Sequence, residues 1–321
     1  MTRPPQGVIL DLASIDRGDL DLTALSAACD RWDRFERTGP EQILERISGA
    51  AVVVTNKVVL DRDILAAASA VRLVCVAATG TNNVDIVAAR ELGIAVSNVT
   101  GYATASVVQH VFALILAHAT RLLDYRQAVR EGAWARSSQF CLLDFPIEEL
   151  AGRTLGIVGY GELGRSVGRI AEAFGMRVLV AQRPGGAPQP GRLRLDELLP
   201  LVDILTLHTP LAENTRNLIG AAELALMKQD ALLVNTARGG IVDEHALADA
   251  LREGTIGGAA VDVLTAEPPR DGNPLLAADI PNLIVTPHVA WASRAARQRL
   301  IDEVAENIRA FGEERLRNRM A

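Results

Sequence analysis

Three short stretches in the last third of the chain carry side chains able to do chemistry together. They are Arg238 in Asn235-Thr236-Ala237-Arg238-Gly239-Gly240, Glu267 in Glu267-Pro268-Pro269, and His288 in Thr286-Pro287-His288. A planar guanidinium fork can bind a substrate carboxylate and polarise the carbonyl beside it. An imidazole held by a carboxylate on one ring nitrogen keeps a fixed tautomer and can exchange a proton through the other. Taken singly, each has a plain structural reading: Arg238 as a helix cap or a neighbour's partner, His288 as one more hydrogen-bonded histidine. Their positions argue for more. Each follows a short apolar run, at 232–235, 259–263 and 283–286, and open α/β sheets bind ligands outside the carboxyl ends of their strands. His110, His118 and His245 read as ordinary hydrogen-bonded residues. His208, at the end of the run 204–207, is expected to shape a ligand site rather than transfer protons.

The elements behind these groups are legible as alternation. Apolar runs at 8–10, 51–55, 73–77 and 94–97 are separated by helix-length segments such as 61–70 and 85–92, which predicts βαβ units and a parallel sheet. Six further runs, at 155–158, 178–181, 204–207, 232–235, 259–263 and 283–286, predict a Rossmann-type doubly wound sheet. Between the two series, residues 104–123 read as one long helix. Residues 292–311 read as an amphipathic helix returning to the first domain, and 184–191 as an exposed loop.

Gly159-Tyr160-Gly161-Glu162-Leu163-Gly164 matches G-x-G-x-x-G, and it follows the strand 154–158 and opens a helix through 165–174. That setting makes it a dinucleotide-binding loop: a tight turn at Gly159, backbone approach to a pyrophosphate at Gly161, and helix-strand packing at Gly164. At the end of the next strand an NAD site normally places Asp or Glu on the ribose hydroxyls. Here the chain has Gln182-Arg183. The carboxylate that would repel a 2′-phosphate is missing and a guanidinium stands beside the gap, which favours NADP(H), with NAD(H) still possible. The alternative is that Arg183 is a solvated loop charge.

Bulk properties exclude other classes. With 321 residues, 49% apolar and 22% charged, the chain suits about two globular domains. A net charge of -6 gives no footprint for a polyanion, so nucleic acid is not an expected partner. The amino terminus lacks the apolar core of a signal peptide. The longest apolar stretch, 107–119, is interrupted by Gln109, His110 and His118 and is shorter than the ~20 residues that span a bilayer. No membrane association is expected. Cys29, Cys75 and Cys141 are scattered and unpaired, which suits a reducing cytosol, and Cys75 reads as a buried small apolar residue. No metal is assigned.

With these motifs in order, the chain resembles the D-isomer-specific 2-hydroxyacid dehydrogenase family, in particular its glycerate dehydrogenase or hydroxypyruvate reductase branch. The likeness covers essentially the whole chain: Gly159 to Gly164, Leu207-His208-Thr209-Pro210-Leu211 with Thr215-Arg216, the block 235–244, Asp262-Val263 with Glu267-Pro268, and Pro287-His288. It implies a flavodoxin-like substrate domain of residues 1–98 and 290–321 and a dinucleotide-binding domain of 99–289. It implies Arg238, Glu267 and His288 as the catalytic set, with Asp262 on the nicotinamide carboxamide and Val107 facing the nicotinamide. Glu162, Leu163, Gln182, Arg183, His208, Thr209, Pro210, Thr215, Thr236, Ala237 and Ala290 complete the cofactor site with the loop glycines, Arg238 and His288.

The loop 78–85 resembles the family's substrate loop, in which the backbone N–H groups of Thr79 and Gly80 bind the substrate carboxylate. Asn56 joins them, while Lys57 either reaches the pocket or lies on the surface. A homodimer built on the linker helices is implied, bringing a residue near Trp134 towards the neighbour's active site. Two departures stand out: Gln182 where NAD-using members are acidic, and Ala290-Trp291-Ala292 where many have a small Gly-Ser-type sequence. The expected reaction is reduction of hydroxypyruvate or glyoxylate to D-glycerate or glycolate. Alternatives are a broader D-2-hydroxyacid dehydrogenase for larger 2-oxo acids, or a non-catalytic NAD(H)-sensing interaction protein on the same fold.

Overall fold

The computed structural model describes residues 3–321, which divide into two units, one reaching to Ala105 and including Trp291–Ala321, the other spanning Ser106–Ala290. In the first unit, β1 (Gln6–Ile9), α1 (Thr23–Ser26), β2 (Arg31–Arg34), α2 (Ile43–Ile47), β3 (Val52–Thr55), α3 (Arg62–Ala67), β4 (Leu73–Val76), α4 (Ile86–Glu91) and β5 (Ala95–Ser97) follow in turn. The five strands form one parallel sheet in the order β2-β1-β3-β4-β5, the flavodoxin-like order. Alternate residues point to opposite faces. Val52, Val54, Leu73 and Cys75 join one core, and Val8, Val53, Val74 and Val76 join another with Ile43, Ile47, Leu65 and Ala88. With both faces covered, the central strands β1, β3 and β4 carry apolar runs, which is why they stand out in the sequence.

The second unit begins within helix α5 (Thr104–Ala119), followed by α6 (Leu122–Arg130), β6 (Thr154–Val158), α7 (Glu162–Ala173), β7 (Arg177–Val180), α8 (Leu195–Leu198), β8 (Ile204–Leu207), α9 (Ala221–Leu226), β9 (Leu232–Asn235), α10 (Glu244–Arg252), β10 (Gly258–Val261) and β11 (Leu283–Val285). Its sheet is parallel throughout, in the order β11-β10-β9-β8-β6-β7. The order reverses between β6 and β8, so the crevice at their carboxyl ends is the topological switch point where such sheets take their ligand. Helix α11 (Arg294–Gly312) belongs to the first unit and lays Leu300, Ile301, Val304 and Ile308 on its sheet.

The structure departs from the sequence reading at three places. β2 was not anticipated, because Arg-Trp-Asp-Arg on an edge carries little apolar signal; only Trp32 packs on the core. The long helix expected over 104–123 is two helices, since Arg121 takes a left-handed backbone (φ 52°) that no α-helix accommodates. The unit boundary falls at 105/106 rather than 98/99, because Val99 and Tyr102 are buried in the first unit's core. At the other end it falls at 290/291, and Ala290 lies with the second unit. Among the described residues, no single helix is long and apolar enough to cross a membrane, though α5 and α6, bent by 60°, pass that test together. All three cysteines are free, and burial pushes the Cys75 thiol up to about 12.

Candidate active site

β9, β10 and β11 are neighbours in the sheet, and the three chemical side chains follow them in turn. Asn235, the last residue of β9, turns the chain: its Oδ1 accepts from Ala237 N at 3.1 Å and its Nδ2 donates to Arg238 O at 3.0 Å. The half-buried Arg238 donates through Nη1 to Ala237 O at 2.7 Å, an arrangement that engages one of its five N–H groups. Gly239 lets this loop lie flush against the one after β10, since a Cβ there would overlap Leu264 O and C. That next loop carries Glu267. Its Oε1 accepts from Leu264 N at 2.8 Å, and its Oε2 lies 2.6 Å from His288 Nδ1. The pair is partly open, with side-chain exposures of 26% for His288 and 31% for Glu267, so a small molecule can reach it.

His288 adopts φ 54°, a left-handed backbone that costs a non-glycine residue about 1–3 kcal/mol unless its surroundings hold it. They do. His288 N donates to Asp262 O at 2.7 Å, while the Asp262 carboxylate accepts from Val289 N at 2.9 Å, Ala290 N at 2.8 Å and Thr286 Oγ1 at 2.5 Å. Burial alone pushes the Asp262 carboxyl up, but hydrogen bonds from His110, Thr286, Ala290 and Val289 outweigh it and hold it below the usual carboxylate range. Asp262 is 1% exposed, and its carboxylate, engaged by its own chain, anchors the segment bearing His288.

At the switch point, the glycine loop has the shape that a pyrophosphate needs. Gly159 takes φ 93°, and a Cβ there would strike His208 O at 2.5 Å; a Cβ on Gly164 would overlap Gly159 O. At Gly161, the N-cap of α7, a Cβ would meet nothing within 4 Å, so open space lies beside the helix N-terminus. Two buried polar atoms without partners sit on the neighbouring strand ends: His208 Nδ1 after β8 and Thr236 Oγ1 after β9. Open space and orphaned polar atoms together fit a bound dinucleotide. His208 is held through Nε2 by Thr206 Oγ1 at 3.0 Å, and burial lowers its pKa to about 4, so the ring is neutral at pH 7.

The remaining expected residues are distributed as follows. Val107, 7% exposed, lies on α5, and Glu162 and Leu163 open α7. Gln182, half-buried, donates its backbone N–H to Leu193 O at 2.7 Å and its side chain to Arg192 O at 3.4 Å, while Arg183 is exposed. Thr209 and Ala237 are half-buried and Pro210 is exposed. The Thr215 hydroxyl donates to Pro210 O and accepts from Ala212 N, both at 2.7 Å, and so braces its own loop. Asn56, Thr79 and Gly80 belong to the first unit. Asn56 is 4% exposed and turned inward, with Nδ2 on Ser14 Oγ at 3.0 Å and its N–H on Asp11. Lys57 is exposed. The hydroxyl and carbonyl of Thr79 tie the loop to Val99 and Asn98, and among the described residues the N–H groups of Thr79 and Gly80 meet no protein acceptor, which suits a carboxylate.

Sequence reasoning missed four contributors. Ser106, His110 and Thr286 surround the His288 segment, and Arg192 lies 5.9 Å from the Tyr160 ring centre inside the glycine loop. A signal existed for two of them. Positions 106, 107 and 110 share one face of α5, so reading Val107 as site-facing implies the same of its neighbours.

A doubly wound sheet with a glycine-rich switch point and Arg, Glu and His on its next three strand ends defines a dinucleotide-dependent oxidoreductase unit. Comparisons with known proteins agree. Residues 112–290 match the family model described as D-isomer specific 2-hydroxyacid dehydrogenase, NAD binding domain. The chain is 48% identical over 299 residues to a glycerate dehydrogenase of Methylorubrum extorquens, covering 92% of this chain and 94% of that one. It is 38% identical over 310 residues to a hydroxypyruvate reductase of Blautia hydrogenotrophica, covering 95% and 96%. Among solved structures, an acyclic imino acid reductase in complex with NADPH and D-Arg superposes with a TM-score of 0.85 at 27% identity, covering 98% and 99%. The chain belongs to the D-isomer specific 2-hydroxyacid dehydrogenase family.

Proposed function

We propose that this protein is a D-glycerate dehydrogenase acting as a hydroxypyruvate and glyoxylate reductase, with NADP(H) as its preferred cofactor. The observation that carries the reading is the Glu267–His288 contact of 2.6 Å, at the strand end next to the Arg238 loop. A bound nicotinamide dinucleotide supplies or accepts the hydride. Arg238 holds the substrate carboxylate through its unengaged N–H groups and polarises the carbonyl. Glu267 accepts from His288 Nδ1–H and fixes the ring, so that Nε2 delivers a proton to the nascent alkoxide in reduction and removes it in oxidation. In the first unit, the N–H groups of Thr79 and Gly80 suit a carboxylate oxygen.

The NADP(H) preference rests on Gln182 in place of an acid, on the exposed Arg183, and on half-buried Arg192, whose carbonyl accepts from the Gln182 side chain. Both guanidiniums can pair with a 2′-phosphate. The NADPH in the superposed reductase structure supports the same choice. Small substrates are favoured by the glycerate dehydrogenase and hydroxypyruvate reductase relatives. A homodimer follows from the concentration of exposed apolar side chains between Leu122 and Ile147, with Phe140 89% and Leu143 85% exposed. Three free cysteines suit a reducing compartment such as the cytosol.

Turnover with hydroxypyruvate, glyoxylate, pyruvate and longer 2-oxo acids, each with NADPH and NADH, tests this reading. It expects the highest kcat/KM for the two small acids with NADPH. A preference for bulky 2-oxo acids would move the protein to the broader dehydrogenases, and dinucleotide binding without any turnover would make it a sensor.

A further inference from the structure

Helix α5 presents Ser106 and His110 one turn apart on one face, and both touch the segment that carries His288. Ser106 Oγ donates to Ala290 O at 2.7 Å. His110 Nε2 lies 3.0 Å from Thr286 Oγ1 and 3.5 Å from Asp262 Oδ1. These contacts bracket residues 286–290 at both ends.

Hydrogen-bond direction follows from counting protons. Thr286 has one hydroxyl proton, and its Oγ1 lies 2.5 Å from Asp262 Oδ1. Asp262 is held as a carboxylate and only accepts, so Thr286 donates to it. Thr286 Oγ1 must then accept from His110, which places a proton on His110 Nε2. A directional chain results, from His110 Nε2–H to Thr286 Oγ1–H to the Asp262 carboxylate. That carboxylate also takes the N–H groups of Val289 and Ala290, just beyond His288.

We propose that His110 is a positioning residue for the reaction: the hydrogen bond it donates fixes Thr286 and, through Asp262, holds the left-handed turn that aims His288. The proposal rests on His288 being the proton-transferring group. Without the His110 donor, Thr286 is free to rotate away from Asp262. The 286–290 segment then loses the side-chain contact at its start, and the φ 54° backbone at His288 can relax. A misplacement of about 1 Å is enough to lower a positioned acid-base step by a large factor.

The test compares His110→Leu, which removes the donor, with His110→Gln, which returns an amide N–H near the Nε2 position. Thr286→Val breaks the chain at its second link and guards against a folding defect peculiar to position 110. His110→Leu and Thr286→Val should lower kcat roughly 10-fold or more while KM for the dinucleotide stays within about 3-fold, and His110→Gln should stay near wild type. A second readout needs no turnover. In ring carbon-proton spectra of the five histidines, the His288 signal, assigned by its loss in His288→Ala, should move in His110→Leu and keep its place in His110→Gln. An unmoved His288 signal with unchanged kcat in His110→Leu would overturn the proposal, and so would equal losses in the leucine and glutamine variants. Turnover retained by His288→Ala would instead displace the reading of His288, and the spectra would still judge the chain.

Discussion

At the scale of single residues, His288 carries the strongest expectation. A positioned acid-base group contributes about 10²–10⁴-fold, so His288→Ala should lower kcat by that factor in steady-state assays, with the melting temperature little changed. Arg238→Lys should raise KM for the 2-oxo acid and lower kcat together, because an ammonium cannot make the forked contact. His208 gives a stability effect with a definite sign. Its pKa is lowered by burial from 6.5 to about 4, so between those values the unfolded chain binds the proton and the folded chain does not. Stability therefore falls as pH drops from 6.5 to 4, by up to roughly 3 kcal/mol, and levels off below that. In denaturant titrations across this range, His208→Gln should flatten the slope. The three candidate groups, Arg238, Glu267 and His288, were legible in the sequence because each follows a strand and has a side chain suited to the proposed chemistry. The contacts of Asp262 and Asn56 were not, since they depend on which groups fold against them: the Thr286 hydroxyl and the backbone N–H groups of Val289 and Ala290 for one, the Ser14 hydroxyl for the other.

At the scale of elements, the site depends on how closely the loops after β9 and β10 approach. Gly239 makes that approach possible, and any side chain there meets the Leu264 carbonyl. Gly239→Ala should force the two loops apart and cost about 1–3 kcal/mol in thermal or denaturant unfolding, with a fall in kcat from the parted Arg238 and Glu267 loops. The Gly-Gly pair was visible in the sequence, but its reason was not, because the colliding carbonyl lies 25 positions away in the chain. The strands were easier. The other strands carry apolar runs, most of them buried on parallel sheets, whereas β2 is a polar edge strand with one packed residue, Trp32. Between α5 and α6, apolar composition hid a break that rests on the backbone of Arg121 alone.

For the whole molecule, the proposed tasks divide between the two parallel sheets: the N–H groups of Thr79 and Gly80 belong to the first, the glycine loop and the candidate trio to the second. The exposed apolar surface of residues 122–147 should make the protein a dimer by light scattering. Charged replacements at Phe140 and Leu143 should shift it towards monomer while leaving its circular dichroism unchanged. Replacing Gln182 by Asp should turn the cofactor preference towards NADH, by repelling a 2′-phosphate and accepting from the ribose hydroxyls. The predictions about turnover depend on the protein being a reductase of small 2-oxo acids. The most direct measurement is NADPH consumption with hydroxypyruvate by the purified protein, together with the configuration of the product. The account predicts saturable turnover to D-glycerate that is largely lost in His288→Ala. No dinucleotide consumption with any small 2-oxo acid, or L-glycerate as the product, would contradict it.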